Sequence, residues 1–285
     1  MKVIAHLSDL HFGREDALVV QRLADDVRDQ RPDVVAVSGD LTQRARRREF
    51  EAAMRFIDSL PSPRVVVPGN HDIPLYDAFR RFFFPLHRWH RFITPEAFPV
   101  YEDDELRILG LNTARSAAWK EGRISRRQIA EIRRRWGDAA PAAFKVLVTH
   151  HPFRPAEPGL HTSIVGRAPI ALEALEAAGA DLLLSGHRNM GTAGVLPHRH
   201  VRVKRSILVA EAGTAMSARR RGEANGYNVI TVDPPRLVIQ VRVWDGTRFD
   251  AGRETTFRKE GDVWLTGGSV PLLPAAQAVS PAASL

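Results

Sequence analysis

The 285-residue chain contains no cysteine. Disulfides, zinc–thiolate sites and cysteine nucleophiles are therefore excluded, and any metal must be held by oxygen and imidazole. Long apolar runs are also missing; none reaches the roughly 20 residues of a membrane-spanning helix. The opening segment MKVIAHLSDLHF meets Ser8, Asp9 and His11 too early for a secretory signal, so a soluble, cytoplasmic chain is expected. Acidic residues fall short of basic ones, 33 against 41, for a net charge of +8. That balance suits an anionic partner: a phosphate ester, nucleic acid or a membrane surface. The arginines are scattered along the chain and no separate DNA-binding motif is present, so nucleic acid is not the favoured partner. Hydrophobic content of 44% and charged content of 26% are ordinary for a globular protein, which excludes wholesale disorder, collagen and coiled coil.

What is present is an alternation of two patterns. Short β-branched runs occur at Lys2–Ser8, Val34–Ser38, Val65–Val67, Leu106–Leu111, Phe144–Thr149 and Leu182–Ser185. Between them, Leu18/Leu23/Val27, Phe50/Met54/Ile57 and Ile170/Leu172/Leu175 recur at helical intervals. Ser125 followed by Gln128 predicts a capping box and a further helix. Such alternation implies a mostly parallel sheet with helices on its faces. After about residue 195 the pattern becomes strand-like, at Val195–Val203, Ser206–Ala210, Tyr227–Val232 and Leu237–Trp244, with turns at Asp233-Pro234-Pro235 and Asp245-Gly246. Neither half supplies both faces of a core, so a single sandwich of two sheets flanked by helices is expected. Residues 73–99, with Phe79, Phe82, Phe83, Phe84, Trp89 and Phe92, form a helical excursion. One domain is expected over 1–266, followed by a disordered Ala/Pro/Ser-rich tail at 267–285.

The apolar runs end in polar clusters. The first closes in Ser8-Asp9-Leu10-His11 and the second in Ser38-Gly39-Asp40. The third closes in Gly69-Asn70-His71-Asp72, and later ones in Thr149-His150-His151-Pro152 and Ser185-Gly186-His187-Arg188-Asn189. In open α/β sheets, ligands bind beyond the carboxyl ends of the strands. Five strands thus deliver carboxylates, imidazoles and an amide to one rim. Crowding such groups is unfavourable unless a cation sits among them.

In their order, Asp-x-His, Gly-Asp, Gly-Asn-His-Asp, His and Gly-His, these residues resemble the calcineurin-like metallophosphoesterases over about residues 1–215. The spacing and the aromatic excursion look most like the bacterial cyclic-nucleotide phosphodiesterase branch. The resemblance implies an α/β fold: a four-layer α/β/β/α sandwich of two mixed sheets flanked by helices. It implies a dinuclear metal site of two divalent ions; such ligands suit Mn, Fe or Zn, with Mn and Fe favoured where oxygen dominates. Asp9 and His11 would hold the first ion, Asp40 would bridge both, and Asn70, His150 and His187 would complete the second. A bridging hydroxide would attack phosphorus while His71 protonates the leaving oxygen, making Asp40 and His71 the catalytic pair. The expected activity is hydrolysis of phosphodiesters, with nucleotide-like substrates such as cyclic nucleotides. A nuclease, a phosphomonoesterase or a pyrophosphohydrolase could use the same site, and a degenerate binding or scaffold protein is the rival from another class.

One position departs from the family pattern: the final histidine is replaced by Asn189. Asn189 either ligates the first ion through its amide oxygen, or leaves that site weak, or marks a degenerate enzyme. Arg188 is the best candidate for a phosphate contact, and His161, in a Pro/Gly-rich loop, for a substrate contact. Of the adjacent pair, His150 is taken as the ligand and His151 as an outer or exposed side chain. His6, inside the first strand, is expected to be buried and hydrogen-bonded. Arg44, Arg46, Arg47 and Arg48 either steer an anionic substrate or form a solvated helix face. The sequence sets no oligomeric state.

Overall fold

Apolar runs without polar alternation suit strands covered on both faces, and the computed structural model places them so. It describes residues 1–118, 120–137, 143–153, 164–187, 192–195, 206–217 and 224–270. In chain order the elements begin with β1 (Lys2–Leu7), α1 (Ala17–Asp29), β2 (Val34–Val37), α2 (Arg47–Ser59) and β3 (Arg64–Val66). The excursion follows as α3 (Ala78–Phe83) and α4 (His87–Phe92), then β4 (Val100–Glu102), β5 (Leu106–Gly110) and α5 (Arg126–Trp136). Next come β6 (Phe144–Val148), α6 (Ala168–Ala177), β7 (Leu182–Ser185), β8 (Thr192–Val195) and β9 (Leu208–Glu211). The last four are β10 (Gly226–Asp233), β11 (Arg236–Trp244), β12 (Phe249–Glu260) and β13 (Val263–Val270).

Two mixed sheets result. One runs β13-β12-β11-β10-β1-β2-β3 and the other β4-β5-β6-β7-β9-β8. Each has a parallel part: β1-β2-β3 at one end of the first, β5-β6-β7-β9 in the middle of the second. Successive side chains of a strand point to opposite faces, and this builds three apolar layers. Ile4, Val34, Ala36, Ile108, Val146 and Leu184 meet between the sheets. Their neighbours Ala5, Leu7, Val35 and Val37 face outward against Val19, Leu23 and Val27 of α1 and Phe50 and Phe56 of α2. On the far side, Leu109, Leu147 and Leu183 pack on Ile129, Ile132 and Trp136 of α5 and Leu175 of α6. The order is helices, sheet, sheet, helices, the four-layer α/β sandwich expected. Among the described residues, no helix is long and apolar enough to cross a membrane.

Several local expectations need correction. The C-terminal strands divide between the sheets: β8 and β9 join the second, while β10 to β13 extend the first as an antiparallel meander. β12 and β13 carry little apolar alternation because they are the outer strands, with many half-exposed positions. β13 runs to Val270, past the expected start of the tail at 267, because residues 268–270 pair with Thr256, Thr255 and Glu254. Residues 271–285 lie outside the described residues, as does most of the expected strand at 195–203. In the excursion only Trp89 is buried among the aromatics; Phe79, Phe82, Phe83 and Phe84 are exposed. Two short helices cannot turn every ring inward.

The β4–β5 hairpin is closed by Asp103, which accepts from Tyr101 Oη at 2.5 Å and from the amides of Glu105 and Leu106, and pairs with Lys2 Nζ at 2.8 Å. Burial alone would raise this carboxyl, but the Lys2 and Tyr101 contacts outweigh it and hold it far below the usual carboxylate range. A depressed folded-state value gives stability that is present at neutral pH and lost as pH falls toward that value. Replacing Asp103 by Asn is expected to destabilise the chain by about 1 kcal/mol at neutral pH. In urea denaturation, the gap from wild type should narrow as the pH drops below about 4.

Candidate metal centre

The parallel strands of both sheets end on the same rim, and the polar clusters sit there. Asp9 and His11 follow β1, and Asp40 follows β2. Asn70 and His71 follow β3 in a single 3₁₀ turn, Asn70–Asp72. His150 follows β6 and His187 follows β7. Asp9, His11, Asp40 and His187 all adopt left-handed backbone, with φ of 53°, 49°, 53° and 75°. Each such residue carries roughly 1–3 kcal/mol of strain, of the kind that clusters at functional sites. Small residues let the loops close on one another. A Cβ at Gly69 would run into Asp40 Oδ1, and one at Gly186 into Ser8 Oγ.

The geometry brings seven of the sequence-selected side chains together. Asp40 stands at the centre. Its Oδ1 accepts from the His71 amide at 2.9 Å, while Oδ2 lies 3.4 Å from His150 Nε2 and 3.9 Å from His11 Nε2. On one side, His11 Nε2 is 3.4 Å from Asp9 Oδ1. Asp9 Oδ2 is fixed by Ser8 Oγ at 2.6 Å and by the His187 amide at 3.0 Å. On the other side, His150 Nε2, His187 Nδ1 and Asn70 Oδ1 form a triangle with edges of 3.1, 3.1 and 3.2 Å. His150 Nδ1 donates to Ser38 O at 2.8 Å, which aims Nε2 into that triangle. His71 Nδ1 donates to Gln43 O at 2.9 Å and its ring meets His11 edge-on at 5.0 Å.

Burial and charge compete throughout. Burial alone would raise the Asp40 carboxyl, yet the His150 and His71 charges hold it well below the usual range. Asp9 is likewise lowered, its burial outweighed by the His11 contact and the His150 charge. Burial would lower His150, but Asp40 overrides it and pushes the imidazole up to about 9. His11 is raised because Asp9 and Asp40 outweigh its burial. His187 goes the other way, to about 4, through burial and the His150 charge. The two buried carboxylates thus draw positive charge from the imidazoles around them.

Asp9, His11 and Asp40 offer ligand atoms within 4.8 Å of one another, and so do His150, His151 and His187. Asp9 Oδ1, His11 Nδ1 and His151 Nε2 are buried with no hydrogen-bond partner. Oxygen and imidazole donors that converge this closely, with orphaned polar atoms and paired carboxylates, fit divalent cations.

The sequence reading understated two residues. His151 is buried, not exposed; its Nδ1 meets Thr113 Oγ1 at 2.8 Å and its ring lies 4.7 Å from that of His187. Asp72, inside the Gly-Asn-His-Asp motif, is buried and accepts from the amides of Gly69, Leu41 and Thr42 and from Thr42 Oγ1. It locks the β2 and β3 loops together, and burial together with the Asp40 charge pushes it up to about 6. Asn189, Arg188 and His161 lie outside the described residues, as do His198 and His200. His6 is buried against Ser38 Oγ at 2.9 Å. Arg46 and Arg47 pair with Glu49 and Glu51 at the start of α2, and Arg44 lies over the Tyr76 ring.

Comparison with known proteins bears on the fold and the family. Glycerophosphodiester phosphodiesterase GpdQ of Enterobacter lignolyticus is 35% identical over 83 residues, 25% of this chain and 29% of that protein. The chain thus spans under a third of that relative. The purple acid phosphatase PPD1 from yellow lupin superposes with a TM-score of 0.61 at 13% identity, covering 91% of this chain and 54% of that one. A dimetal phosphatase from Danio rerio gives 0.62 at 12% identity, covering 85% and 96%. At such identities the two structures establish the fold. The profile of the calcineurin-like phosphoesterases matches residues 2–188, about two thirds of the chain, and the protein belongs to that family.

Proposed function

We propose that this protein hydrolyses phosphodiesters at a site holding two divalent metal ions. The observation that carries the reading is the Asp40 carboxylate, placed between two separate groups of ligand atoms. Asp9, His11 and Asp40 would hold one ion, and Asp40, Asn70, His150 and His187 the other. Asn189 is the further candidate for the first. Bound there, the ions would offset charge on the phosphoryl oxygens and acidify the attacking water. Mn or Fe suits the oxygen-rich donor set better than Zn.

The chain's own residues do the rest. Ser8 and the His187 amide fix Asp9, and the Ser38 carbonyl fixes the His150 tautomer. His71 is oriented through Nδ1 by the Gln43 carbonyl, which leaves Nε2 to hand a proton to the departing alkoxide. A phosphodiester substrate, with cyclic nucleotides the first class to try, is supported by the 83-residue likeness to a glycerophosphodiester phosphodiesterase.

Elemental analysis of purified protein, paired with a panel of esters under added Mn, tests the reading. Bis(p-nitrophenyl) phosphate should be cleaved faster than p-nitrophenyl phosphate, with two ions per chain. A protein that binds no divalent ion and cleaves neither ester would be a scaffold. Replacing His71 by Gln should lower kcat by about a hundredfold or more for alkyl leaving groups. The loss should be smaller for p-nitrophenolate, which needs little protonation, and the metal content should not change. Equal losses for both leaving groups would remove His71 as the proton donor.

A further inference from the structure

Beside the histidine cluster lies a cavity of about 760 Å³ that the proposed chemistry does not use. The two share a wall. Gly122 lines the cavity, and its Cα backs so closely onto the His151 ring that a Cβ would collide with it. The next residue, Arg123, donates its amide to Thr113 O at 2.8 Å, and Thr113 Oγ1 meets His151 Nδ1 at 2.8 Å. Ile73, two residues after His71, also lines the cavity.

Three arginines line this space, Arg115, Arg123 and Arg167, against a single acidic residue, Glu121. Two of the guanidinium groups bond to backbone carbonyls. Arg115 Nε and Nη2 donate to Arg123 O at 3.2 and 3.0 Å, and Arg167 Nη1 donates to Ile124 O at 3.1 Å. Carbonyls orient these groups without neutralising them. Among the described residues, none of the three forms an ion pair. Burial, and after it the charges of Arg123 and Arg167, make the Arg115 proton easier to lose.

Arg167 is also held in left-handed backbone, with φ of 65°. A long side chain is unusual there, and such strain persists where a position is put to use. α6 starts at the next residue with no acidic side chain in its first turn, so its positive end adds to the field. Three like charges around a hollow repel one another until an anion enters.

We propose that this cavity binds a second anionic group of the substrate, carried at a distance from the scissile phosphate. The substrate class is then a phosphate ester whose non-reacting portion bears a carboxylate or a further phosphate. This rests on the hydrolytic reading of the neighbouring site.

A matched pair of esters tests it: p-nitrophenyl butyl phosphate, and p-nitrophenyl 3-carboxypropyl phosphate of equal chain length. Metal-loaded wild type should favour the carboxylate ester by about tenfold in kcat/KM, through KM, as charge-assisted contacts of this kind allow. The Arg115→Gln/Arg167→Gln variant should bring the ratio to about one. Should that variant fail to fold, Arg123→Gln, at an exposed side chain, should still lower it. Arg236→Gln/Arg258→Gln, which removes equal charge from the β11–β12 hairpin, should keep the wild-type ratio. A ratio near one in wild type, or one that the hairpin variant lowers equally, overturns the proposal.

Calorimetry with 1,3-propanedisulfonate, a dianion of little affinity for metals, separates the two readings. If neither ester is cleaved, the hydrolytic reading fails. Disulfonate binding that weakens by about tenfold in Arg123→Gln then still supports the anion site. Binding that the substitution leaves unchanged overturns it.

Discussion

Replacing Asp40 by Ala is expected to lower turnover of bis(p-nitrophenyl) phosphate by about a hundred- to a thousandfold, the scale seen when a preorganised electrostatic group is removed. Metal content should fall below one ion per chain. The reason is position: Asp40 is the one carboxylate within 4 Å of both His11 and His150 among the described residues, so its loss weakens both groups of ligands. The same carboxylate accepts the His71 amide, so the proton donor loses its anchor as well. An Asp40→Ala protein that keeps two ions and its activity would remove the bridging role. Thermal melts of both proteins should accompany the assay, because taking one partner from a buried charged cluster also destabilises a fold.

Asp72→Ala should have the largest effect on stability. Four donors converge on this carboxylate: the amides of Leu41, Thr42 and Gly69, at 3.1, 2.8 and 2.9 Å, and Thr42 Oγ1 at 2.9 Å. Alanine leaves the three amides without this acceptor, while Thr42 Oγ1 keeps the His71 carbonyl at 3.1 Å, and the loss should reach about 3 kcal/mol. The melting temperature should fall by about 6–12 °C for a chain of this size. Metal affinity should drop by about 10- to 100-fold, as for other residues that support ligands from behind. Asp72→Asn, which keeps one acceptor oxygen, should fall between. A variant melting with wild type would show that the β2 and β3 loops need no such tie.

The ligand-bearing loops could be read in the sequence because each directly follows an apolar run. A run such as Val34–Val37, with no polar alternation, signals burial on both faces, and its polar terminus must then lie at the rim. The strands that escaped were those lacking this contrast. β4 has an exposed, half-buried, exposed pattern, and β12 alternates only weakly between intermediate and exposed positions. For the Phe79–Phe84 segment, composition alone does not place the rings, and the two six-residue helices leave all four of its phenylalanines exposed.

By itself, then, the sequence determined the layered α/β architecture and the set of carboxylate, amide and imidazole groups at one rim. Periodicity and strand endings are local properties and survive without knowledge of the fold. Only the tertiary structure put distances on the arrangement, with Asp40 Oδ2 within 4 Å of both His11 and His150 and His150 Nε2 at 3.1 Å from Asn70. It alone showed that Asp72 ties two loops together and that Arg115, Arg123 and Arg167 surround one cavity. Those relations join residues tens of positions apart, and their distances depend on how the two sheets stack, which no local pattern encodes.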